Sequence, residues 1–376
     1  MKALVTGGAG FIGSHLVDAL LRRGYEVRVL DSLEPRVHPR GRPAYVPAEV
    51  EFLQGDVRDK STMERALSGV EVVFHQAAYQ DYMPDYSKFL HANAAGTALI
   101  YEIIRERRLP VRKVVVASSQ SVYGEGQYEC EEHGLCLPGG RSLELLDRGD
   151  WELHCGRCHS PLKPLLLQEE FPNPSTAYGI SKYTQELVAL RLGRVLQIPS
   201  VAMRYSIVQG PRQSIYNAYS GICRIFTRAL LAGKPPLVFE DGLQQRDYVH
   251  IDDVVAACML VLDSPAADYQ AFNVGTGEVV TVLDYLRQLA RTMGVDIVPN
   301  LPGAYRVGDV RHTVSGIGKL RALGWKPAKS LRDVFEDYLA WLQALDDRGD
   351  YFTPAYRAMT QDGIVRFVQP QVALSS

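Results

Sequence analysis

No apolar run in this chain is long enough to cross a bilayer. The longest, such as Val254 to Leu262, fall well short of the ~20 residues a spanning helix needs, so no membrane partner is expected. Neither sign of charge dominates, with 41 basic against 43 acidic side chains, which argues against nucleic acid or an anionic surface as a partner. Cysteine is scarce, and six in 376 residues do not make a disulfide framework. Four of the six fall between 130 and 158, which suggests another use. No internal repeat is visible. No secretory leader is expected either, because Lys2 is followed at once by an apolar strand. The expectation is a soluble, cytoplasmic chain with two domains, or one domain and a lobe.

What the chain does have is concentrated at its start, MKALVTGGAGFIG. Ala3 to Thr6 is β-branched and apolar, and reads as a buried parallel strand. It runs into Gly7, Gly8, Gly10 and Gly13, and from Phe11 to Arg22 apolar residues recur at helical spacing. A strand, a glycine turn and a helix make the first unit of a dinucleotide fold. Gly7, Gly10 and Gly13 let backbone approach a pyrophosphate, and the helix start at Phe11 and Ile12 offers it N–H groups. A second run, Glu26 to Leu30, ends in Asp31, 18 residues after Gly13, where an acid bonds the adenosine ribose. Asp31 would repel a 2′-phosphate, which favours NAD over NADP, although Arg36, Arg40 and Arg42 lie near in sequence.

Strand-like runs recur at Glu51–Leu53, Val70–His75, Val114–Ser118, Ser200–Arg204, Leu237–Phe239 and Phe272–Gly275. Helical stretches lie at Lys60–Leu67, Leu90–Arg107, Thr176–Val195, Tyr219–Leu231, His250–Leu262 and Leu283–Met293. The early alternation implies a doubly wound parallel sheet of Rossmann type, with a smaller C-terminal substrate lobe and a Cys-rich insert. Asp56 and Val57 end a strand where adenine would lie, and Ala77 and Ala78 are small enough to let a cofactor pass. Asn93 is read either as a cofactor contact or as a helix amide bonding the next strand end, and His75 as a packed strand-end residue.

Chemistry begins at Ser118-Ser119-Gln120-Ser121-Val122-Tyr123-Gly124, again at a strand end. Tyr178 and Lys182, four apart on a helix, share one face. A nearby ammonium favours a phenolate, so the tyrosine is expected to act as a base below the usual pKa of about 10. A serine hydroxyl beside it can bond the same substrate oxygen.

These motifs, with Gly210-Pro211-Arg212 and the run Asp241 to His250, resemble the extended short-chain dehydrogenase/reductase superfamily, whose members include NAD-dependent nucleotide-sugar epimerases and dehydratases. The likeness is strongest to hexose 4-epimerases. It implies a 4-keto-hexose intermediate, Ser119 as the catalytic hydroxyl with Tyr178 and Lys182, and Ser121 close to the sugar. It also implies Arg246, Arg306 and Asp309 at the nucleotide diphosphate, and a homodimer through the helices at 90–107 and 176–195. Dehydratases of this kind carry an Asp-Glu pair where Gln120 and Ser121 stand, and neither can act as a carboxylic acid, so dehydration is disfavoured. Relatives usually have Arg-Phe-Asn where this chain has Arg204-Tyr205-Ser206, which places Ser206 at the sugar. Phe239 belongs either beside the nucleotide base or in the core. A 4-keto-sugar reductase and a non-catalytic NAD-binding scaffold are the competing readings.

The insert, 127–171, contains Cys130-x-x-His133-Gly134 and Cys155-x-x-Cys158, separated by 21 residues. Zinc takes four Cys or His ligands, and the favoured set is Cys130, His133, Cys155 and Cys158, with Cys136 as the substitute for His133. With every position filled by protein, the site would be structural. Asp247, Asp252 and Asp253 are read as helix caps and backbone acceptors. The expected organisation is a dinucleotide domain at 1–206 and 247–275 and a nucleotide-sugar lobe at 207–246 and 276–345. The stretch 346–376 is polar and without period, an arm on a partner or disorder.

Overall fold

A computed structural model describes residues 1–81, 84–216, 221–345, 349 and 352–369. Chain order gives β1 (Lys2–Thr6), β2 (Glu26–Asp31), β3 (Glu51–Gln54), β4 (Val72–His75) and β5 (Lys113–Ser119). The insert adds β6 (Tyr128–Cys130), β7 (Gly134–Cys136) and β8 (Lys163–Pro164). Then come β9 (Ser200–Tyr205), β10 (Ile207–Gln209), β11 (Gln245–Arg246), β12 (Tyr248–His250) and β13 (Gln270–Val274). The main sheet has the order β13-β9-β5-β4-β1-β2-β3, parallel throughout.

Strand order reverses between β1 and β4, where Thr6 pairs across to both Leu30 and His75. A doubly wound sheet opens a crevice at such a point, outside the carboxyl ends of its strands. Thr6, Asp31, His75, Ser119 and Tyr205 all end strands on that edge. Two apolar layers, one led by Leu16, Val17 and Leu20 and the other by Ile100, Tyr101 and Ile104, cover the two faces. Near-continuous apolar strands follow from that double burial. A third cluster, around Phe226, Tyr285, Phe335 and Tyr338, forms the C-terminal lobe.

Several boundaries differ from expectation for identifiable reasons. The helix expected at Leu90–Arg107 begins earlier, at Tyr86, and passes through a π-helical turn at Leu90–Ala95 before Gly96–Arg107. Leu237–Phe239 is not a strand, since Leu237 makes only one bridge, to Asn300. The helix expected from Tyr219 is described from Ile222 to Leu231, and Tyr219 lies outside the described residues. The helix Ile251–Asp263 is capped by the His250 side chain, which accepts from the Asp252 N–H, and not by an aspartate. Asp253 instead accepts from Ala328 and Lys329, and Asp247 from the N–H groups of Thr276, Gly277 and Ser315. The described part of the stretch after 346 folds onto its own lobe: a helix at Phe352–Gln361 leads to Val365–Phe367, antiparallel to Ala304–Arg306. Among the described residues, no helix is long and apolar enough to cross a membrane.

Candidate active site

The glycine turn is built so that only backbone fits. A Cβ on Gly13 would lie 2.1 Å from the Gly7 carbonyl oxygen, and one on Gly7, at φ +68°, 2.7 Å from the Ala77 nitrogen. Gly10 caps the helix Phe11–Arg22 without a side-chain acceptor, so the first-turn N–H groups, those of Phe11 and Ile12 among them, face outward as helix-end donors. Asp31 ends β2 beside this turn, with Ala9 N–H on one carboxylate oxygen at 3.0 Å and Leu33 N–H on the other at 2.9 Å. A backbone-lined cradle, a helix start and a fixed acid together fit the pyrophosphate and ribose of a dinucleotide. Gly13→Ala is therefore expected to push the turn open and cut NAD affinity by more than about ten-fold, measured by calorimetry on a folded protein.

The other residues of the crevice take varied roles. Asp56 is held by the Arg58 guanidinium, which keeps its carboxyl below the usual range, and Val57 is buried against Gly96. Ala77 receives its place through an N–H bond to Thr6 Oγ1 and is half-buried, and Ala78 follows it, exposed, in the loop after β4. Asn93 realises its second reading: Oδ1 accepts from Tyr79 N–H at 2.8 Å, and Nδ2 donates to Tyr79 O and Ser181 Oγ. Both its N–H groups are spent, so it fixes the loop after β4 to the catalytic helix. His75 bonds Thr6 Oγ1 at 2.7 Å, and burial drives its pKa down to about 3, so it stays neutral and structural. Arg36 pairs with Asp81, Arg42 bonds the Pro47 carbonyl, and Arg40 lies over the Tyr216 ring.

Ser119 and Tyr178 meet at the end of β5. Thr176 caps the helix Ala177–Val195 by accepting from Gly179 N–H, and the next helical positions carry Tyr178 and Lys182. A Cβ on Gly179 would lie 2.4 Å from the Ser121 carbonyl, so a glycine is what lets this helix start press on the serine loop. The sequence contains that signal in Tyr-Gly-x-x-Lys, but only the fold explains it. Ser119 Oγ donates to Ser121 Oγ and accepts from Ser121 N–H, both at 3.1 Å. Lys182 is buried, donating to Ala117 O at 2.8 Å and Gln185 Oε1 at 2.9 Å, with Nζ 5.9 Å from the Tyr178 ring centre.

The expected acidic phenol is not what this arrangement produces in the free protein. Burial pushes the Tyr178 phenol up to about 12, and its hydrogen bond with Ser119 recovers only part of that rise. Burial also brings Lys182 down to about 7. Desolvation penalises both charged forms, and it outweighs a partly discharged ammonium at this separation.

In the lobe, Arg246 donates to the carbonyls of Gln245, Val310 and Arg311, and lies 3.8 Å from Asp309. Arg306 pairs with Asp309 at 2.7 Å and covers the Phe239 ring at 5.0 Å. The structure thus brings Arg246, Arg306, Asp309 and Phe239 together, and Phe239 also packs on Tyr356. Ser206 is buried, and its hydroxyl bonds Ser315 at 2.7 Å and reaches Asp247 at 3.4 Å.

Sequence spacing gave no sign of the ions surrounding this group. Arg141 of the insert pairs with Glu240 at 2.8 Å and donates to the Asp309 carbonyl at 2.7 Å. Arg311, fully buried, pairs with Glu152, Glu240 and Asp241, and His312 bonds Glu152 at 3.0 Å. The partners lie 70 to 168 residues apart, beyond any local pattern. In the insert itself, Cys130, His133, Cys155 and Cys158 place four ligand atoms within 4.8 Å of one another. Cys136 lies outside this group, its thiol donating to Gly134 O. Backbone N–H groups of Cys158 and Arg157 stabilise the Cys155 thiolate and hold its pKa at about 7.

A dinucleotide-type parallel sheet with serine, tyrosine and lysine at its carboxyl edge defines an enzyme of the extended short-chain dehydrogenase/reductase class. The chain belongs to the NAD dependent epimerase/dehydratase family, whose sequence profile matches residues 3–137 and 155–275. It is 32% identical over 353 residues to a dTDP-L-rhamnose 4-epimerase of Burkholderia thailandensis, covering 92% of this chain and 96% of that one. It is 31% identical over 348 residues to a putative UDP-glucose 4-epimerase of Methanocaldococcus jannaschii, covering 90% and 98%. Among solved structures it resembles a UDP-glucose 4-epimerase of Thermotoga maritima with UDP-glucose, at TM-score 0.76 and 29% identity over 92% of this chain and all of that one. A Thermus thermophilus UDP-glucose 4-epimerase with NAD gives TM-score 0.70 and 30% identity over the same shares.

Proposed function

We propose that the protein is an NAD-dependent nucleotide-sugar 4-epimerase acting through a 4-keto-hexose intermediate. The observation that carries this reading is the meeting of Ser119, Tyr178 and Lys182 at the sheet edge, beside a glycine cradle that only backbone can line. NAD would be held by Gly7, Gly10, Gly13, the helix start at Phe11 and Ile12, Asp31, and the wall of Asp56, Val57, Ala77 and Ala78. When bound, it supplies the hydride acceptor for the sugar carbon and a positive ring charge. Tyr178 removes the proton of the 4-hydroxyl, Ser119 bonds that oxygen, and Lys182 moderates the phenol's charge. Ser121 helps set the Ser119 hydroxyl. Arg246 and Arg306, poised on Asp309, receive the diphosphate, and Phe239 flanks them.

Gln120 and Ser121 supply no carboxyl group for dehydration, which separates this chain from the dehydratase reading. Relatives named for dTDP-L-rhamnose, UDP-glucose and UDP-glucuronate leave the sugar and base open. The expected result with a panel of UDP-, dTDP- and GDP-hexoses, without added cofactor, is conversion of at least one to its 4-epimer, approached from either isomer. Stoichiometric consumption of NADH or NADPH would instead identify a reductase, and inertness of the NAD-loaded protein toward the whole panel a scaffold. A homodimer in the cytoplasm accompanies the proposal: the helix Ala177–Val195 leaves Ile180 and Leu187, seven residues apart on one face, exposed toward a second copy. For the cysteine cluster the reading is a structural zinc ion, apart from the chemistry.

A further inference from the structure

We propose that Cys130, His133, Cys155 and Cys158 close around one zinc ion, and that this closure is what seats Arg141 and Glu152 in the ion cluster of the substrate lobe. Cys130 Sγ lies 3.6 Å from Cys158 Sγ and 3.5 Å from His133 Nδ1, and Cys155 Sγ lies 3.5 Å from the same nitrogen. A zinc tetrahedron with bonds of about 2.3 Å to sulfur and 2.0–2.1 Å to nitrogen has edges of about 3.8 and 3.6 Å. The sulfurs are too far apart for a disulfide, which needs about 2.05 Å. The ligands come from two turns, one joining β6 to β7 and one beside the bridge between His154 and Pro161. Between them the insert buries a cluster of only Tyr128, Cys130, Leu153, Cys155 and Leu162. So small a core does not hold its own shape without a staple.

The bracing limb comes from what hangs between the two turns. Residues 138–154, which the family profile leaves unmatched, carry Arg141 and Glu152. Arg141, its side chain 4% exposed, pairs with Glu240 and bonds the Asp309 carbonyl, while Glu152 ties Arg311 and His312. The insert also accepts a hydrogen bond from the Tyr305 hydroxyl at Asp147, and packs Trp151 at a tilt against the Tyr305 ring, 5.9 Å between centres. The stretch Ala304–Thr313, which supplies Arg306 and Asp309, is thus held from outside by a segment anchored at both ends by the proposed metal turns. Arg141 and Glu152 are positioning residues, and the limb rests on the proposed function only in taking that stretch as a nucleotide-sugar site.

The test uses the full chain. Elemental analysis of protein purified without chelator is expected to give about one zinc per chain, and the cobalt-loaded protein the visible bands of a tetrahedral cobalt thiolate. Protein that neither carries zinc nor takes it up from added zinc sulfate overturns the metal limb. Removing the metal from folded protein with a chelator is expected to speed amide exchange in 304–313 by about ten-fold while β1, β4 and β5 stay protected. Unchanged exchange in 304–313, or equal loss of protection throughout, overturns the bracing. Neither readout depends on turnover, so a zinc-loaded but inert protein would sink the epimerase reading and leave this one standing. Cys155→Ser gives the same comparison genetically, with loss of zinc as the expected result.

Discussion

Tyr178→Phe is expected to lower turnover by about three orders of magnitude while leaving NAD bound and the fold intact, the scale on which a positioned acid–base group acts. The ring still fills its place against Phe89, 6.3 Å away, so only the hydroxyl is lost. The pH dependence is more diagnostic. A phenol near 12 and an ammonium near 7 mean that the active form, phenolate with ammonium, is scarce at every pH. Below about pH 7 the lysine is charged and the phenolate fraction grows with pH, so kcat/KM should climb about ten-fold per pH unit. Above it, each gain in phenolate is cancelled by an equal loss of ammonium, and the profile should be flat. Lys182→Met removes that cancellation, and the rise should continue through pH 9. A wild-type profile flat from pH 5 upward would show that Tyr178 is not the base or that its proton is held far less tightly than burial dictates.

That pH profile could not be read from spacing. Tyr178 and Lys182 four apart fix a shared helix face, and the turn from Gly7 to Gly13 fixes the crevice, because both are consequences of local geometry. The sheet was legible for the same reason: short apolar strands alternating with helical stretches leave one architecture. How deeply a pair is buried depends on everything packed above it, and here burial reverses the direction expected for the phenol. Asn93 shows an intermediate case, since its position near a strand end was readable but its choice of Tyr79 and Ser181 was settled by the π-helical turn around it. Arg141 shows the opposite extreme. Nothing near it in sequence announces a partner, and its role exists only because the insert folds back over the lobe. Ser206 sits at a motif position where the resemblance implies sugar contact, and the bonds of its hydroxyl to Ser315 and Asp247, 109 and 41 residues away, have no local sequence signal.

Arg204→Leu is expected to destabilise the protein by about 3–5 kcal/mol, the usual result of stranding one partner of a buried ion pair. Both side chains of the pair, Arg204 and Glu186, are 3% exposed. Arg204 Nε donates to Glu186 at 2.9 Å, and Nη1 donates to the Tyr123 hydroxyl and to the Glu169 carbonyl, each at 2.8 Å. Ser118 donates to Glu186 as well, and Tyr123 in turn donates to Asn273. One guanidinium thus joins β9, β5, β13 and the catalytic helix at the edge where Ser119 and Tyr178 meet. A leucine leaves the Glu186 carboxylate buried without a cation, which costs more than the lost contacts themselves. Adding Glu186→Leu removes that stranded charge, so the double variant should recover part of the loss, and chemical denaturation of the four proteins measures the coupling. Recovery should stay incomplete, because the Tyr123 hydroxyl loses its Arg204 donor in either case and the Ser118 hydroxyl loses its acceptor once Glu186 is replaced. If the single variant unfolds at the same denaturant concentration as the parent, water reaches Glu186 and the edge is not a closed network; if stability falls and turnover does not, the network holds the fold without holding the serine and tyrosine in register.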